Sequence, residues 1–339
     1  MRKIRYPQSK ILKEKIGSSN NVIITTHVNS DGDAIGSTLA MAGILRILGK
    51  KVHIITPNDF PGFLHWMEGA GDILIYYHQK NTADELVKEA DLILCIDFND
   101  SRRLEKAENV ILEARAFKVL IDHHPDPSNF SDLVISDTSL GSSAELLYYL
   151  LQDMEYNHLL TKPLAESLYT GIMTDTGNFS FSCSYPEVWN TVSELLSMGI
   201  DKDKIFSHVY DNYSEKRMQL MGYCLYEKMQ VFEDYHTAII GLTKKEMEDF
   251  NHKPGDTEGF VNLPFSIKGV KLTALFLEKK DHVRISLRSR GDFSVNELSR
   301  KHFNGGGHKN AAGGELKMSV DDAIKKFREV LEEYKEELK

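Results

Sequence analysis

Six short β-branched runs alternate with amphipathic stretches through the first half of the chain, an alternation that few folds can accommodate. The runs are Val22 to Thr26, Val52 to Thr56, Ile73 to Tyr76, Leu92 to Ile96, Phe117 to Ile121 and Leu133 to Ile135. Helix-like segments occupy Ala34 to Leu48, Thr82 to Glu89 and Arg102 to Ala114. Strands joined by helical crossovers run parallel, so the pattern predicts a doubly wound, mainly parallel α/β sheet. From Ser142 to about Glu227 the strand signal gives way to helices, at Ala144 to Leu151, Pro163 to Met173, Pro186 to Leu196 and Ser214 to Tyr226. Strands return at Thr237 to Gly241, Lys271 to Leu277 and Val283 to Arg288, and an amphipathic helix from Ser319 towards Leu338 closes the chain. The expected organisation is a sheet domain over residues 1–205, a helical connector over 206–230 and a smaller α/β domain over 231–339. A length of 339 residues suits two domains.

Three of the expected strands deliver the same chemistry at their C-terminal ends. The first runs into His27-Val28-Asn29-Ser30-Asp31-Gly32-Asp33, the fourth into Asp97, and the fifth into Asp122-His123-His124. Open α/β sheets bind ligands at that edge. Imidazole and carboxylate together suit divalent Mn, Zn, Fe or Mg, with imidazole shifting the balance away from Mg and Ca. The set is too large for one ion; two ions about 3.5 to 4 Å apart would use it and would clamp the attacking and leaving oxygens of a phosphoryl transfer. Asp175, after the apolar stretch Leu164 to Met173, adds a fourth element. Asp31, Asp33, Asp97 and Asp175 carry four negative charges, which two divalent ions balance. Without ions they would repel and raise one another's pKa. Asp122 fits the task of orienting a neighbouring histidine.

Charge is unevenly spread. The chain has 41 Lys and Arg against 50 Asp and Glu, a net −9, yet residues 262–310 hold ten basic and four acidic side chains. That balance argues against broad duplex binding and leaves room for a short anion held by metals and one basic patch. Within the basic segment lies Gly305-Gly306-Gly307-His308, where successive glycines let backbone N–H groups approach an anion. Just upstream, strand alternation places Arg284, Ser286 and Arg288 on one face, and Arg288 and the glycine run together suggest a phosphate or nucleotide subsite. Cys95, Cys183 and Cys224 form no CxxC pair, against both a disulfide framework and a cysteine zinc site. The longest apolar stretch, Ala34 to Gly49, is interrupted by Arg46 and falls short of a bilayer span, and the basic N-terminus lacks an apolar signal core. A cytoplasmic protein with no membrane partner is the expectation.

The segments HVNSDGDAIGS, CIDFND, LIDHHPD and TDTGNF resemble the four metal motifs of the DHH phosphoesterase superfamily. GGGHKNAAGG resembles the signature of its DHH-associated C-terminal domain, and size and layout are similar to the bacterial nanoRNases of that superfamily. The resemblance implies two divalent ions, Mn²⁺ first, with Mg²⁺, Co²⁺ or Zn²⁺ as substitutes. It gives one ion to His27, Asp31 and Asp97, and the other to Asp33, Asp97, His123 and Asp175, with Asp97 bridging. His124 would position or protonate the leaving oxygen, while Arg288, His308 and the backbone of Gly305, Gly306 and Gly307 would hold substrate phosphate. The implied substrates are short single-stranded RNA oligonucleotides, cut to nucleoside 5′-monophosphates, and 3′-phosphoadenosine 5′-phosphate (pAp), converted to AMP. A homodimer is compatible with this reading. The competing activities are a linear or cyclic dinucleotide phosphodiesterase and a RecJ-like single-strand exonuclease, and a pyrophosphatase lacks the GGGH segment. A nucleotide-binding regulator without catalysis is the alternative outside enzymes, against which the full ligand set argues.

Overall fold

Val22, Ile23 and Ile24 are all buried because strand β1 (Asn21–Thr25) lies in the middle of a sheet covered on both faces. The computed structural model describes residues 6–211, 213–253 and 255–338, and the chain divides into two units, Met1–Asn212 and Tyr213–Lys339.

The first unit begins with helix α1 (Gln8–Ser18) and β1, followed by α2 (Gly32–Ile47), β2 (Lys51–Thr56), β3 (Leu74–Ile75), α3 (Tyr76–Lys88) and β4 (Leu92–Ile96). A 3-10 segment, Ser101–Ala107, leads into α4 (Glu108–Glu113), then β5 (Phe117–Asp122) and β6 (Leu133–Ser136). Helices α5 (Ser143–Asp153), α6 (Lys162–Asp175), α7 (Pro186–Ser197) and α8 (Lys202–Tyr210) complete it. The strands pair in the order β3-β2-β1-β4-β5-β6, all parallel, which is the expected doubly wound sheet. Alternation divides the core: Val22, Ile24, Leu94 and Ile96 pack with α2, α5 and α6 on one face. Ile23, Ile93 and Cys95 pack under α3 and α4 on the other. The strand order reverses between β1 and β4, and ligands of such sheets bind in the crevice at that point.

Helix α2 is buried along nearly its whole length, which accounts for the apolar stretch in the sequence. Among the described residues no helix is long and apolar enough to cross a membrane. Its glycines let α6 lie unusually close. A Cβ at Gly32 would fall 2.4 Å from Thr174 Oγ1, at Gly36 2.4 Å from the Ser167 carbonyl, and at Gly43 2.2 Å from Leu164 Cδ2. Those contacts run backwards along α6, so the helices are antiparallel. The N-terminus of α2, with Asp31 and Asp33, therefore meets the C-terminus of α6, with Asp175.

The second unit contains α9 (Glu215–Tyr223), β7 (Met229–Phe232), β8 (Thr237–Leu242), α10 (Lys244–Asp249), β9 (Leu272–Glu278) and β10 (Val283–Ser289). It continues with α11 (Val295–His302), β11 (Gly306–His308), β12 (Ala311–Leu316), α12 (Val320–Glu333) and α13 (Lys335–Leu338). Its mixed sheet has the order β11-β12-β10-β9-β8-β7, with only the β8–β9 pair parallel. One face packs Phe276, Ile285 and Leu287 against Phe303 and Phe327, and the other packs Ile240 and Leu275 against Leu220 and Phe260.

Several expected elements differ from the structure. The run Ile73 to Tyr76 gives a strand of only two residues, because it pairs with β2 alone and Tyr76 already begins α3. The expected helix from Arg102 to Ala114 is broken at Glu105, whose φ of 47° no helix tolerates. Ser214 to Tyr226 stops as an α-helix at Tyr223 and widens into a π turn over Cys224–Lys228. Strands β7, β11 and β12 carried no strand signal. Strand β7 is a largely exposed edge, and the other two are rich in glycine, which has little intrinsic strand preference.

Candidate metal centre

Each side chain expected to bind metal stands at the end of a strand or at the start or end of a helix. His27 follows β1 and is 3% exposed. Its Nδ1 lies 2.8 Å from the Val28 carbonyl, so that nitrogen carries the proton and Nε2 turns towards Asp97 Oδ2, 3.4 Å away, and Asp31 Oδ2, 4.0 Å away. His123 follows β5 in the same manner. Its Nδ1 is 3.3 Å from the Leu140 carbonyl, and its Nε2 faces Asp175 Oδ2 at 3.2 Å, Asp97 Oδ1 at 3.7 Å and Asp33 Oδ2 at 3.9 Å. Metal-binding histidines are commonly fixed in this way, by a carbonyl on the far nitrogen.

The carboxylates are equally constrained. Asp31 caps α2, one oxygen accepting the amides of Asp33 and Ala34, with the other directed at His27. Buried Asp33 accepts the amides of Ser143 at 2.6 Å and Ala144 at 2.9 Å, at the N-terminus of α5, where unpaired N–H groups and the helix dipole favour an anion. Asp97 is held by the hydroxyl of Ser143, 2.8 Å from its Oδ1. Asp122 accepts from His124 Nδ1 at 2.8 Å, and that same nitrogen lies 3.8 Å from Asp97.

Ligand atoms fall into two neighbouring groups. His27, Asp31 and Asp97 offer atoms within 4.8 Å of one another, and so do Asp33, His123 and Asp175. Asp97 stands between them, one oxygen towards His27 and the other towards His123. A third group, Asp97, Asp122 and His124, adjoins them.

The electrostatics show what such an arrangement requires. Burial first, then the nearby Asp97, Asp175 and Asp31 carboxylates, push the Asp33 carboxyl well above its usual range, against the Ala144 amide. Burial likewise raises Asp175, opposed by His123. Burial acts to raise Asp97 too, but the three histidines outweigh it and hold this carboxyl far below the usual range. His123 is raised because Asp175, Asp97 and Asp122 overcome the burial that would lower it. Repulsion among buried carboxylates, with imidazoles turned towards them, is relieved by divalent cations. The mixed nitrogen and oxygen donors fit such ions.

Ser143 was not legible as a site residue, although Ser142 and Glu145 form the S-x-x-E pattern that announces a helix start, and Ser142 does cap α5. Only the fold shows that this helix start receives Asp33 and Asp97.

The remaining candidates belong to the second unit. Arg288 on β10 pairs with Ala311 on β12, and Ala311 pairs with His308 on β11. Register neighbours share a face, so Arg288 and His308 flank a small alanine on the same side of the sheet. Two register steps along, Ser286, Gly313 and Gly306 continue a shelf of small residues. The glycines serve packing as well. A Cβ at Gly305 would be 1.8 Å from the Gly313 carbonyl, and at Gly307, whose φ is 149°, 2.4 Å from that of Ala311. The amide of Gly305 donates to Ser299 and that of Gly307 to Asn296, and Gly306 is a ladder partner of Gly313, so at least two of the three glycine amides are occupied by protein acceptors.

Residues 21–172 match the model of the DHH family, N-terminal domain, and residues 235–337 that of the DHHA1 domain. A Thermus thermophilus protein named bifunctional oligoribonuclease and PAP phosphatase NrnA is 30% identical over 318 residues, spanning 94% of this chain and 90% of that one. The Bacillus subtilis protein of the same name is 28% identical, spanning 90% and 91%. Among solved structures, an exopolyphosphatase-related protein from Bacteroides fragilis superposes with a TM-score of 0.95 at 42% identity, covering 100% of this chain and 99% of that one.

Proposed function

The chain belongs to the DHH family, and from that premise we propose that it is a two-metal phosphoesterase that degrades short oligoribonucleotides to nucleoside 5′-monophosphates and dephosphorylates pAp to AMP. One observation carries the reading: Asp97 directs one oxygen at each of two histidine and carboxylate groups, at the point where the sheet order reverses. The activities named for the two relatives supply the substrate class.

In this reading His27, Asp31 and Asp97 hold one divalent ion, and Asp33, Asp97, His123 and Asp175 hold the other. Mn²⁺ is our choice because the donor set mixes imidazole with carboxylate. When bound, such a pair lowers the pKa of a water and stabilises charge on the transferring phosphoryl. The chain's own groups do the rest. Ser143 and the start of α5 fix Asp97 and Asp33, so the ligands need little reorganisation. His124, oriented by Asp122, takes its place at the leaving oxygen and steadies or protonates it. Arg288, His308 and the small-residue shelf with the Gly305 to Gly307 run receive substrate phosphate and nucleotide. The unit with the carboxylates is thus catalytic, and the one with the basic segment binds substrate. A reducing, cytoplasmic setting suits three buried cysteines without disulfides.

The test is an incubation of purified protein with Mn²⁺ and 5′-labelled tri- and pentaribonucleotides, pAp, pyrophosphate and cyclic dinucleotides. Short RNA and pAp should be consumed first. Failure on every short RNA and on pAp overturns the proposal.

A further inference from the structure

Beside the carboxylate cluster stands a cation that no motif announced. Arg103 lies on the 3-10 segment after β4, six residues beyond Asp97. Its Nη1 donates towards His124 Nε2 at 3.5 Å, on the opposite side of the imidazole from Asp122. Asp122, His124 and Arg103 thus form a row: a fully buried carboxylate, an imidazole whose Nδ1 proton it accepts, and a guanidinium 3.5 Å from the other nitrogen, a contact long enough to be given up when substrate enters and that nitrogen turns to the leaving oxygen. The second oxygen of Asp122 is buried without a hydrogen-bond partner among the described residues, so this carboxylate serves His124.

The neighbouring arginine shows what a structural role looks like. Arg102 is exposed and grips the Asp100 carboxylate through Nε and Nη2. Arg103 has no such ion pair among the described residues, although its side chain is half-buried. A guanidinium has five N–H donors, and one long contact to a nitrogen leaves most of them open, while its charge is felt at longer range by the Asp100 carboxylate that Arg102 already grips. Its backbone is pinned on both sides, the carbonyl accepting the Val28 amide at 2.8 Å and the amide donating to Asp100 at 3.0 Å. Two residues on, Glu105 holds φ 47° and ψ −118°, a conformation costly for a side-chain-bearing residue. A pinned and strained segment that presents a guanidinium with open donors at the edge of the proposed metal site is arranged for an anion that arrives later.

We propose that Arg103 binds the scissile phosphate, its guanidinium taking a non-bridging oxygen, and that it favours phosphomonoesters over diesters. The inference rests on the phosphoesterase reading above and adds a substrate contact to it. His124 and Asp122 orient the guanidinium, which among the described residues makes no hydrogen bond or ion pair with any of the six residues assigned to the ions. A phosphomonoester carries close to two negative charges near neutral pH where a diester carries one, so a cation at this position gains most from the monoester.

The experiment compares wild type, R103A and R103K in Mn²⁺ on pAp and on the dinucleotide ApA, with Mn²⁺ affinity measured by calorimetry. We expect R103A to lose about 10²-fold in kcat/KM on pAp, the scale found for removing one preorganised charge-stabilising donor. The loss on ApA should be smaller by about tenfold, as the halved charge implies. Mn²⁺ affinity should be unchanged, R103K should recover part of the activity, and inhibition by inorganic phosphate should weaken. Activity of R103A near wild type, a parallel loss of Mn²⁺ binding, or equal losses on both substrates would each overturn the proposal. If the wild type hydrolyses neither substrate, the phosphoesterase reading falls. Calorimetric binding of inorganic phosphate then still decides on Arg103, equal affinity in wild type and R103A counting against it.

Discussion

Asp97 adopts a left-handed backbone with a φ of 68°, which few side-chain-bearing residues other than Asp and Asn accept. Its own amide donates to the Ile121 carbonyl at 2.9 Å, so the chain leaves β4 while still tied to β5, and the carboxylate swings into the crevice. An asparagine would keep this conformation and lose the charge. D97N should therefore fold with a melting temperature near that of the metal-free wild type, lose at least about 10²-fold in turnover, and bind Mn²⁺ more weakly. Calorimetric titration with Mn²⁺ beside a turnover assay checks both, and full activity would remove the bridging role. At the same scale, Glu246 offers a pH effect in the second unit. Burial alone would raise its carboxyl, but Lys228, Thr243 and Tyr223 outweigh it and bring it down to about 2. A lowered folded value stabilises the protein above the ordinary carboxylate range, and that contribution is lost as pH falls through the range towards about 2. The stability difference between wild type and E246Q, followed by urea unfolding, should shrink over that window. A difference independent of pH would show that the capping hydrogen bonds alone matter. The residues proposed as ligands were legible because each stands at the end or start of a recognisable strand or helix. Ser143, and Arg103 as proposed above, were not, since nothing near them in sequence marks what they face.

At the scale of elements, the crossing of α2 and α6 assembles the proposed metal site. It brings two helix ends, some 140 residues apart in sequence, close enough for their carboxylates to repel. G36A would set a methyl 2.4 Å from the Ser167 carbonyl, which must move away. The expected cost is about 1 to 3 kcal/mol, with weakened Mn²⁺ affinity because Asp175 retreats from Asp33. Gly17 supplies the control. It is in helix α1, and a methyl group there would meet no atom within 4 Å, so G17A should be neutral or stabilising by up to about 1 kcal/mol. Urea unfolding of both variants checks the pair, and equal destabilisation would mean that helix packing does not govern the site. Periodicity gave β4 with its full bounds and β1, β2 and β5 to within a residue or so, because buried parallel strands are continuous apolar runs. It missed β11 and β12 because their glycines are chosen for close backbone contact, as the positions of Gly305 and Gly307 show.

Across the whole molecule, the net charge of −9 conceals an uneven distribution that the sequence already shows, with the basic residues concentrated in 262–310. The first unit gathers buried carboxylates, whose repulsion costs stability in the absence of cations. Mn²⁺ should therefore raise the melting temperature, stabilising the folded state by about 2.7 kcal/mol at a hundredfold excess over its Kd, and EDTA should reverse the gain. Hydrogen exchange should show the added protection at the strand ends carrying His27, Asp97 and His123. Absence of any Mn²⁺-dependent shift would count against the site as a whole. The sequence by itself determined the doubly wound sheet, the residue types at its ligand edge and the basic segment, because strand and helix periods and ligand chemistry are local properties. Only the tertiary structure decided which oxygen faces which nitrogen. Asp33 is held by amides 110 and 111 residues away and Asp97 by a hydroxyl 46 residues away, and separations of that kind are closed by packing, which no local pattern records.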